Sequence, residues 1–420
     1  MANSQMMLPT LSDPLACKEG VDILGDSVCN ISSNAIATSG KNLLKQLSQC
    51  RSFTPDQVRA IRALLSSGDS PFGPPSEWSS STLDELRCLF HLLDHSILAQ
   101  IPRAVLLPWV KVLSQPSREQ LATVVRNLRS PRRRRAAECP PGKTVTQEVV
   151  SDDLMPLDYS PEELRACLKG PILANNLDIL MDYAFTYEQL HVIKDNLDEM
   201  FPNGYPSSIA QHLGSLMDIM TPDDFKTWNI TSAETLTSLL ANEPDDKLAA
   251  AIIQQYTDSG GEINTQTLKA IGSRYICLLN EDQLNKIDET AFKEVNNLDL
   301  SKCAQTTKNI LYPQAKRALS DRHNEFPYYY DMIKPYLGGA PGEDLRALGK
   351  DNLNMSIKTF MNLRYDAVME LTIHDVKALL GKNLGELTKE QDNFPIKDWI
   401  CKQNQSDLDK LGIGLHCGQP

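Results

Sequence analysis

The feature that most constrains this chain is how often it starts a helix. A capping box sets a Ser, Thr or Asn side chain on the N3 backbone N–H and a Glu, Gln or Asp side chain back on the cap N–H. Thr54-Pro55-Asp56-Gln57, Ser117-Arg118-Glu119-Gln120, Ser160-Pro161-Glu162-Glu163 and Thr186-Tyr187-Glu188-Gln189 all spell it. Thr221-Pro222-Asp223-Asp224 and Asn280-Glu281-Asp282-Gln283 are near relatives. Acidic first turns suit the helix dipole. Pro55, Pro161 and Pro222 stand at the first helical position, which needs no N–H. Between starts, apolar residues recur at helical spacing, as in Leu190, Ile193 and Leu197, and few stretches alternate with period two. The pattern predicts an all-α chain of many short helices.

One longer unit occurs twice. Trp78-Ser79-Ser80-Ser81-Thr82-Leu83-Asp84-Glu85-Leu86 aligns with Trp228-Asn229-Ile230-Thr231-Ser232-Ala233-Glu234-Thr235-Leu236, and Leu89 with Leu239. Each reads as a tryptophan ending one helix, a short polar turn and a capped second helix. Short helix pairs cannot bury their apolar faces alone and stack on neighbours. The expected architecture is therefore an irregular superhelical array of helix–turn–helix units of armadillo/HEAT type.

Charge divides the chain. Residues 1–135 hold 16 Lys/Arg against 11 Asp/Glu, a net +5; residues 136–420 hold 26 against 43, a net −17. An overall charge of −12 argues against nucleic acid as a partner. No apolar run reaches eighteen residues, so no transmembrane helix is expected. The nearest stretch, 96–112, is broken by Pro102, Arg103 and Pro108. At the charge boundary stand Pro131-Arg132-Arg133-Arg134-Arg135, followed by Cys139-Pro140-Pro141-Gly142. Proline, glycine and clustered like charge make this an exposed linker. Four arginines admit a nucleic-acid or nuclear address, a solvated run, or a site for a secretory-pathway convertase. The flanking prolines hold an extended, protease-accessible loop and place cleavage ahead of nuclear import. The expected division is 1–130, a linker at 131–147, and 148–420.

Nothing in the sequence argues for catalysis or a cofactor. His91 and His95 lie one helical turn apart, but no third metal ligand accompanies them. Gly338-Gly339-Ala340-Pro341-Gly342 lacks the Gly-Lys-Ser/Thr of a phosphate loop and reads as a helix stop, with Glu343-Asp344 opening the next helix. Tyr328-Tyr329-Tyr330 reads as helix packing.

Other signals point outward. Glycosylation sequons occur at Asn30, Asn229, Asn354 and Asn404. Ten cysteines include Cys29 and Cys50, Cys139 and Cys167, and Cys277 and Cys303, which flank short helical units. Oxidised loops of such lengths would each stabilise by roughly 3 kcal/mol, and oxidation belongs to a secretory compartment. Against this, residues 1–8 contain no signal-peptide core and 411–420 no hydrophobic tail. The sequence therefore points either to the cytosol or to a polypeptide lacking both ends.

The chain resembles the mesothelin precursor family, and more distantly otoancorin and stereocilin. The resemblance runs from about residue 24 to 415. It is carried by Phe72-Gly73-Pro74-Pro75-Ser76-Glu77-Trp78, Phe185-Thr186-Tyr187-Glu188-Gln189-Leu190, Gly204-Tyr205-Pro206, Gln211-His212-Leu213-Gly214 and Trp228-Asn229-Ile230-Thr231-Ser232. Leu337-Gly338-Gly339-Ala340-Pro341, Thr359-Phe360-Met361, Asp398-Trp399-Ile400 and Leu411-Gly412-Ile413-Gly414-Leu415 continue it in family order.

The resemblance implies a non-enzymatic extracellular glycoprotein, cut by a convertase into a soluble N-terminal factor and a GPI-anchored adhesion protein. It implies cleavage after Arg135, disulfides Cys29–Cys50, Cys139–Cys167 and Cys277–Cys303, and binding of a mucin-type membrane glycoprotein through residues 136–198, with Tyr159 as the contact aromatic. Cys401 and Cys417 are additional to the pattern and suited to each other; Cys17 and Cys88 stay unassigned. Family members carry basic residues after that tyrosine, where this chain has Ser160-Pro161-Glu162-Glu163. Two rival readings are an inner-ear-type matrix attachment protein and a cytosolic helical scaffold.

Overall fold

The computed structural model describes residues 26–418, apart from 40–42, 49, 51–52, 94, 114–117, 120 and 123–137. The described chain is helical. No strand occurs among the described residues; a single parallel bridge pairs Ile263 with Ile287. The longer helices are Pro55–Ser67, Tyr187–Met200, Asp246–Asp258, Thr265–Tyr275 and Gln305–Ala318. Many others, such as Met155–Asp158 and Pro171–Ala174, make a single turn.

The expected helix starts fold as spelled. Full capping boxes form at Thr54, Ser160, Thr186 and Asn280. At Thr221 the backbone N–H donates to Asp224 Oδ2 at 2.7 Å. Ser117 lies outside the described residues. The duplicated tryptophan unit departs from its alignment. In the first copy Ser79, directly after Trp78, caps Ser80–Leu86. In the second, three residues intervene after Trp228 and Ser232 caps Ala233–Leu240. Both tryptophans are buried, as are Leu83, Leu86 and Leu89 in one copy and Leu236 and Leu239 in the other. The apolar register is kept while the turn lengthens.

Three capping-box glutamines do more than cap. Gln57, Gln189 and Gln283 are buried. Their Oε1 atoms accept the cap N–H of Thr54, Thr186 and Asn280 at 2.8–2.9 Å. The same amides reach back to an earlier element with Nε2. Gln57 donates to Cys29 O at 3.0 Å and Ile31 O at 2.9 Å. Gln189 donates to Pro156 O and Tyr159 O, both at 2.8 Å. Gln283 donates to Thr257 Oγ1 at 3.3 Å. Glutamate could make only the first bond, because a carboxylate has no donor.

Further cross-element ties span similar separations. Asn196 Nδ2 donates to Leu168 O, Asn242 Nδ2 to Ala210 O, Tyr275 Oη to Pro244 O and Trp399 Nε1 to Leu371 O. These partners stand 28, 32, 31 and 28 residues apart.

The chain divides into two compact units, 1–205 with 212–220, and 206–211 with 221–420. The first has a core around Trp78, Phe90 and Trp109, against which Leu154, Leu157 and Ala184 pack. The second buries Phe225 against Trp228 and Phe292 against Tyr336, with ring centroids 4.6 and 5.4 Å apart. The pieces expected from processing, 1–130 and 148–420, thus meet inside the first unit.

Four disulfides close short loops: Cys29–Cys50, Cys139–Cys167, Cys277–Cys303 and Cys401–Cys417, with Cα–Cα distances of 5.6, 4.9, 4.8 and 4.8 Å. All four distances fall in the normal disulfide range. Cys17 and the side chain of Cys88 lie outside the described residues.

Replacing Gln189 by Ala strips two buried carbonyls and one cap N–H of their partner. We expect Gln189→Ala to lower unfolding free energy by about 3 kcal/mol, measured by urea denaturation of the full chain. A loss below about 1 kcal/mol, the scale of one ordinary hydrogen bond, would deny the tie its structural role.

Candidate interaction face around Tyr159

Residues 136–198 begin on a loop that the Cys139–Cys167 bond fastens to the end of helix Pro161–Cys167. Tyr159 follows the single-turn helix Met155–Asp158 in extended conformation, just before the Ser160 cap. It is only 5% exposed. Its hydroxyl donates to Lys143 O at 3.0 Å, and its own carbonyl accepts from Gln189. Lys143 lies over the ring, 4.7 Å from the centroid. The same ammonium donates to Asp158 O at 2.7 Å and pairs with Glu163 at 3.2 Å.

Tyr159, expected as the contact aromatic, is therefore a buried strut that fixes the 140–143 loop against two helix starts. Burial pushes its phenol above the ordinary tyrosine range, with Glu163, Asp158 and Asp152 adding to the effect.

What this face offers to solvent is acidic. A cleft of about 310 Å³ beside Tyr159 is lined by Glu148, Asp152 and Asp158, with Lys143 the only basic group on its wall. Glu162 is exposed on the adjoining helix. Asp152 and Asp153 also receive Arg103, which hydrogen-bonds to both, at 2.6 Å to Asp153. These two bonds, Asp152 first, raise the Arg103 pKa. Arg103 precedes the basic run and its partners follow it, so one arginine grips across the expected cleavage point. Sequence reading missed this contact; the only hint was the opposite charge of the two pieces.

The remaining expected sites are placed as follows. Asn30, Asn229, Asn354 and Asn404 are all exposed. Arg132, Arg133, Arg134 and Arg135 lie outside the described residues, as do the side chains of His91 and His95. Pro341 directly precedes helix Gly342–Gly349, with Glu343 and Asp344 in its first turn. Tyr329 is buried, whereas Tyr328 is 45% exposed. No described helix is long and apolar enough to cross a membrane.

The mesothelin family profile matches residues 11–420. The chain belongs to the mesothelin family. It is 37% identical to mesothelin of Rattus norvegicus over 405 residues and 38% identical to that of Mus musculus over 412, covering 94% and 95% of the chain. It spans 64% of the length of each of these relatives. Human otoancorin is 24% identical over 315 residues, covering 68% of the chain and 26% of otoancorin. Mesothelin-family membership accounts for the recurrence of the motifs in order along the chain.

Tyr159→Phe keeps the ring and removes one hydrogen bond; we expect a loss of about 1 kcal/mol. Tyr159→Ala also opens a cavity and should cost about 3 to 5 kcal/mol. Chemical denaturation of both variants checks this, and equal losses would contradict the strut.

Other buried phenols give a pH signature. Burial raises Tyr183, Tyr256, Tyr275, Tyr312, Tyr329 and Tyr336, and pushes Tyr330 up to about 12. Unfolded phenols ionise near pH 10. The folded chain therefore holds these protons more tightly, and the stability linked to them is full below about pH 10 and falls as pH rises further. Denaturation midpoints measured in alkaline buffers should follow that course. Stability that stays level through pH 12 would refute it.

Proposed function

We propose that this chain acts outside the cell as an adhesion protein, at the cell surface or secreted, and binds a mucin-type membrane glycoprotein or a matrix component. Family membership across residues 11–420 carries this reading. Four closed disulfides and four exposed sequon asparagines support it, because both suit the secretory route. The oxidised pairs also weigh against a cytosolic scaffold. Attachment by a GPI anchor, and convertase cleavage after Arg135, are part of the same proposal. Each compact unit is read as stacked helix–turn–helix repeats, supported by ties between elements about thirty residues apart.

Recognition in this reading uses the surface of 136–198 rather than the Tyr159 ring. An acidic face meets an acidic, sialylated mucin at a disadvantage, since like charges slow encounter. Glu162→Lys restores a positive charge beside the tyrosine. Surface plasmon resonance of the glycosylated, processed protein on a mucin ectodomain should show faster association for this variant, about threefold at low salt. Tyr159→Phe should leave binding unchanged. Absence of saturable binding by the native protein, or full thiol reactivity of the secreted chain, would overturn the proposal.

Cleavage after Arg135 would cross no described disulfide, since Cys29–Cys50 lies before the cut and the other three lie after it. Release of the N-terminal piece is then a dissociation opposed by the packing of Leu154, Leu157 and Ala184 on the Trp78 core, with Arg103 and its aspartates adding a smaller, salt-sensitive part. Gel filtration of convertase-cut protein should show the pieces together at about 0.05 M salt and more fully apart at about 0.5 M, where screening is strong. Separation that is independent of salt would exclude the arginine clamp.

A further inference from the structure

Lys308 is a lysine of the second unit whose side chain is largely buried. It lies in helix Gln305–Ala318 and is only 9% exposed. Its ammonium makes no hydrogen bond or ion pair among the described residues. Its stem is buried but its ammonium is not: the nitrogen opens on the adjoining cleft with no protein partner beside it.

The backbone is built to admit this side chain. A Cβ at Gly338 would stand 3.0 Å from Lys308 Cδ and 2.9 Å from Asn362 O. One at Gly339 would stand 2.0 Å from Lys308 O. Gly338 lets the lysine stem lie flat on the chain, and Gly339 lets the helix backbone at Lys308 come close to it. Gly338 O is already occupied by Gln305 Nε2 at 2.7 Å.

Lys308 lines an open cleft of about 360 Å³ together with Lys334 and Lys358. Two carboxylates share the lining, Asp299 and Asp331. Asp299 takes the Ser301 N–H at 3.0 Å, and that bonding, with Lys358 and Lys302 nearby, holds it below the usual carboxylate range. Three lysines thus share the lining with two aspartates, giving a local positive excess in the part of the chain that carries −17. Burial lowers the Lys308 pKa and Asp299 only partly offsets this. An arriving anion would supply the missing partner.

We propose that this cleft is a binding site for a tetrahedral oxyanion, a sulfate or phosphate group, held by Lys308 from below and by Lys334 and Lys358 from the rim. A doubly charged group pairs with more than one ammonium, which a carboxylate does less well. The volume also admits the residue to which such a group is esterified. The site lies in the second unit, and neither its existence nor its test depends on the 136–198 face.

The test is titration of the full chain, selectively labelled on lysine, followed by NMR. Probes are inorganic sulfate, inorganic phosphate and a sulfated disaccharide, with sodium chloride, acetate and the desulfated disaccharide as controls. Sulfate or phosphate should shift the Lys308 and Lys358 signals saturably, at lower concentration than acetate. Lys308→Met keeps the apolar stem and should weaken binding at least about tenfold. Sulfate should raise the melting temperature of the native chain and not of Lys308→Met, whereas a merely structural lysine predicts equal shifts.

Tighter binding of the sulfated disaccharide than of free sulfate identifies the group as an ester on a larger ligand; the reverse identifies a free ion, and either supports the site. Lysine signals that move no further with sulfate than with chloride, or equal half-saturation in Lys308→Met, would overturn the proposal.

Discussion

A chain of single-turn helices leaves most of its backbone carbonyls and N–H groups without helical partners, and those buried between elements must find them elsewhere. Here buried side chains supply them. Gln189 satisfies its own cap N–H and two carbonyls of the preceding segment at once. Asn196, Asn242, Tyr275 and Trp399 each spend a side-chain donor on a carbonyl about thirty residues earlier. Apolar burial drives these short helices together, but the ties decide which carbonyl faces which donor, and so hold the register of each unit.

The same kind of tie gathers around Tyr159. One strut, one cation and one glutamine converge there: the phenol on Lys143 O, the Lys143 ammonium on Asp158 O and Glu163, and Gln189 on Tyr159 O. The disulfide Cys139–Cys167 closes the same loop covalently. Within Ser160-Pro161-Glu162-Glu163 only Glu162 is exposed and takes no part in these bonds, so charge can vary there without disturbing the fold.

Much of the fold was legible because capping is local chemistry. Thr54, Ser160, Thr186 and Asn280 each announce a helix within four residues, and each one forms. The tryptophan duplication marked the buried leucines but missed the three-residue shift of the second cap, since turn length leaves no periodic signal. Cys29–Cys50, Cys139–Cys167 and Cys277–Cys303 came from family resemblance and not from spacing, whereas Cys401–Cys417 is additional to that pattern.

Tyr159 was visible as a special residue, yet its burial was not, because the partners Lys143 and Gln189 are 16 and 30 positions away. Lys308 was invisible for the same reason. Between Thr307 and Asn309 it reads as an ordinary surface lysine, and only the fold brings Gly338 beneath it.

The central physical claim is that buried side-chain amides tie each helix to an earlier element. Hydrogen exchange of side-chain NH2 groups, followed by NMR in the native chain, reads those ties one at a time. The account predicts strong protection for Gln57, Gln189 and Asn196 relative to the exposed Gln211. Exchange of these buried amides at the rate of Gln211 would contradict it.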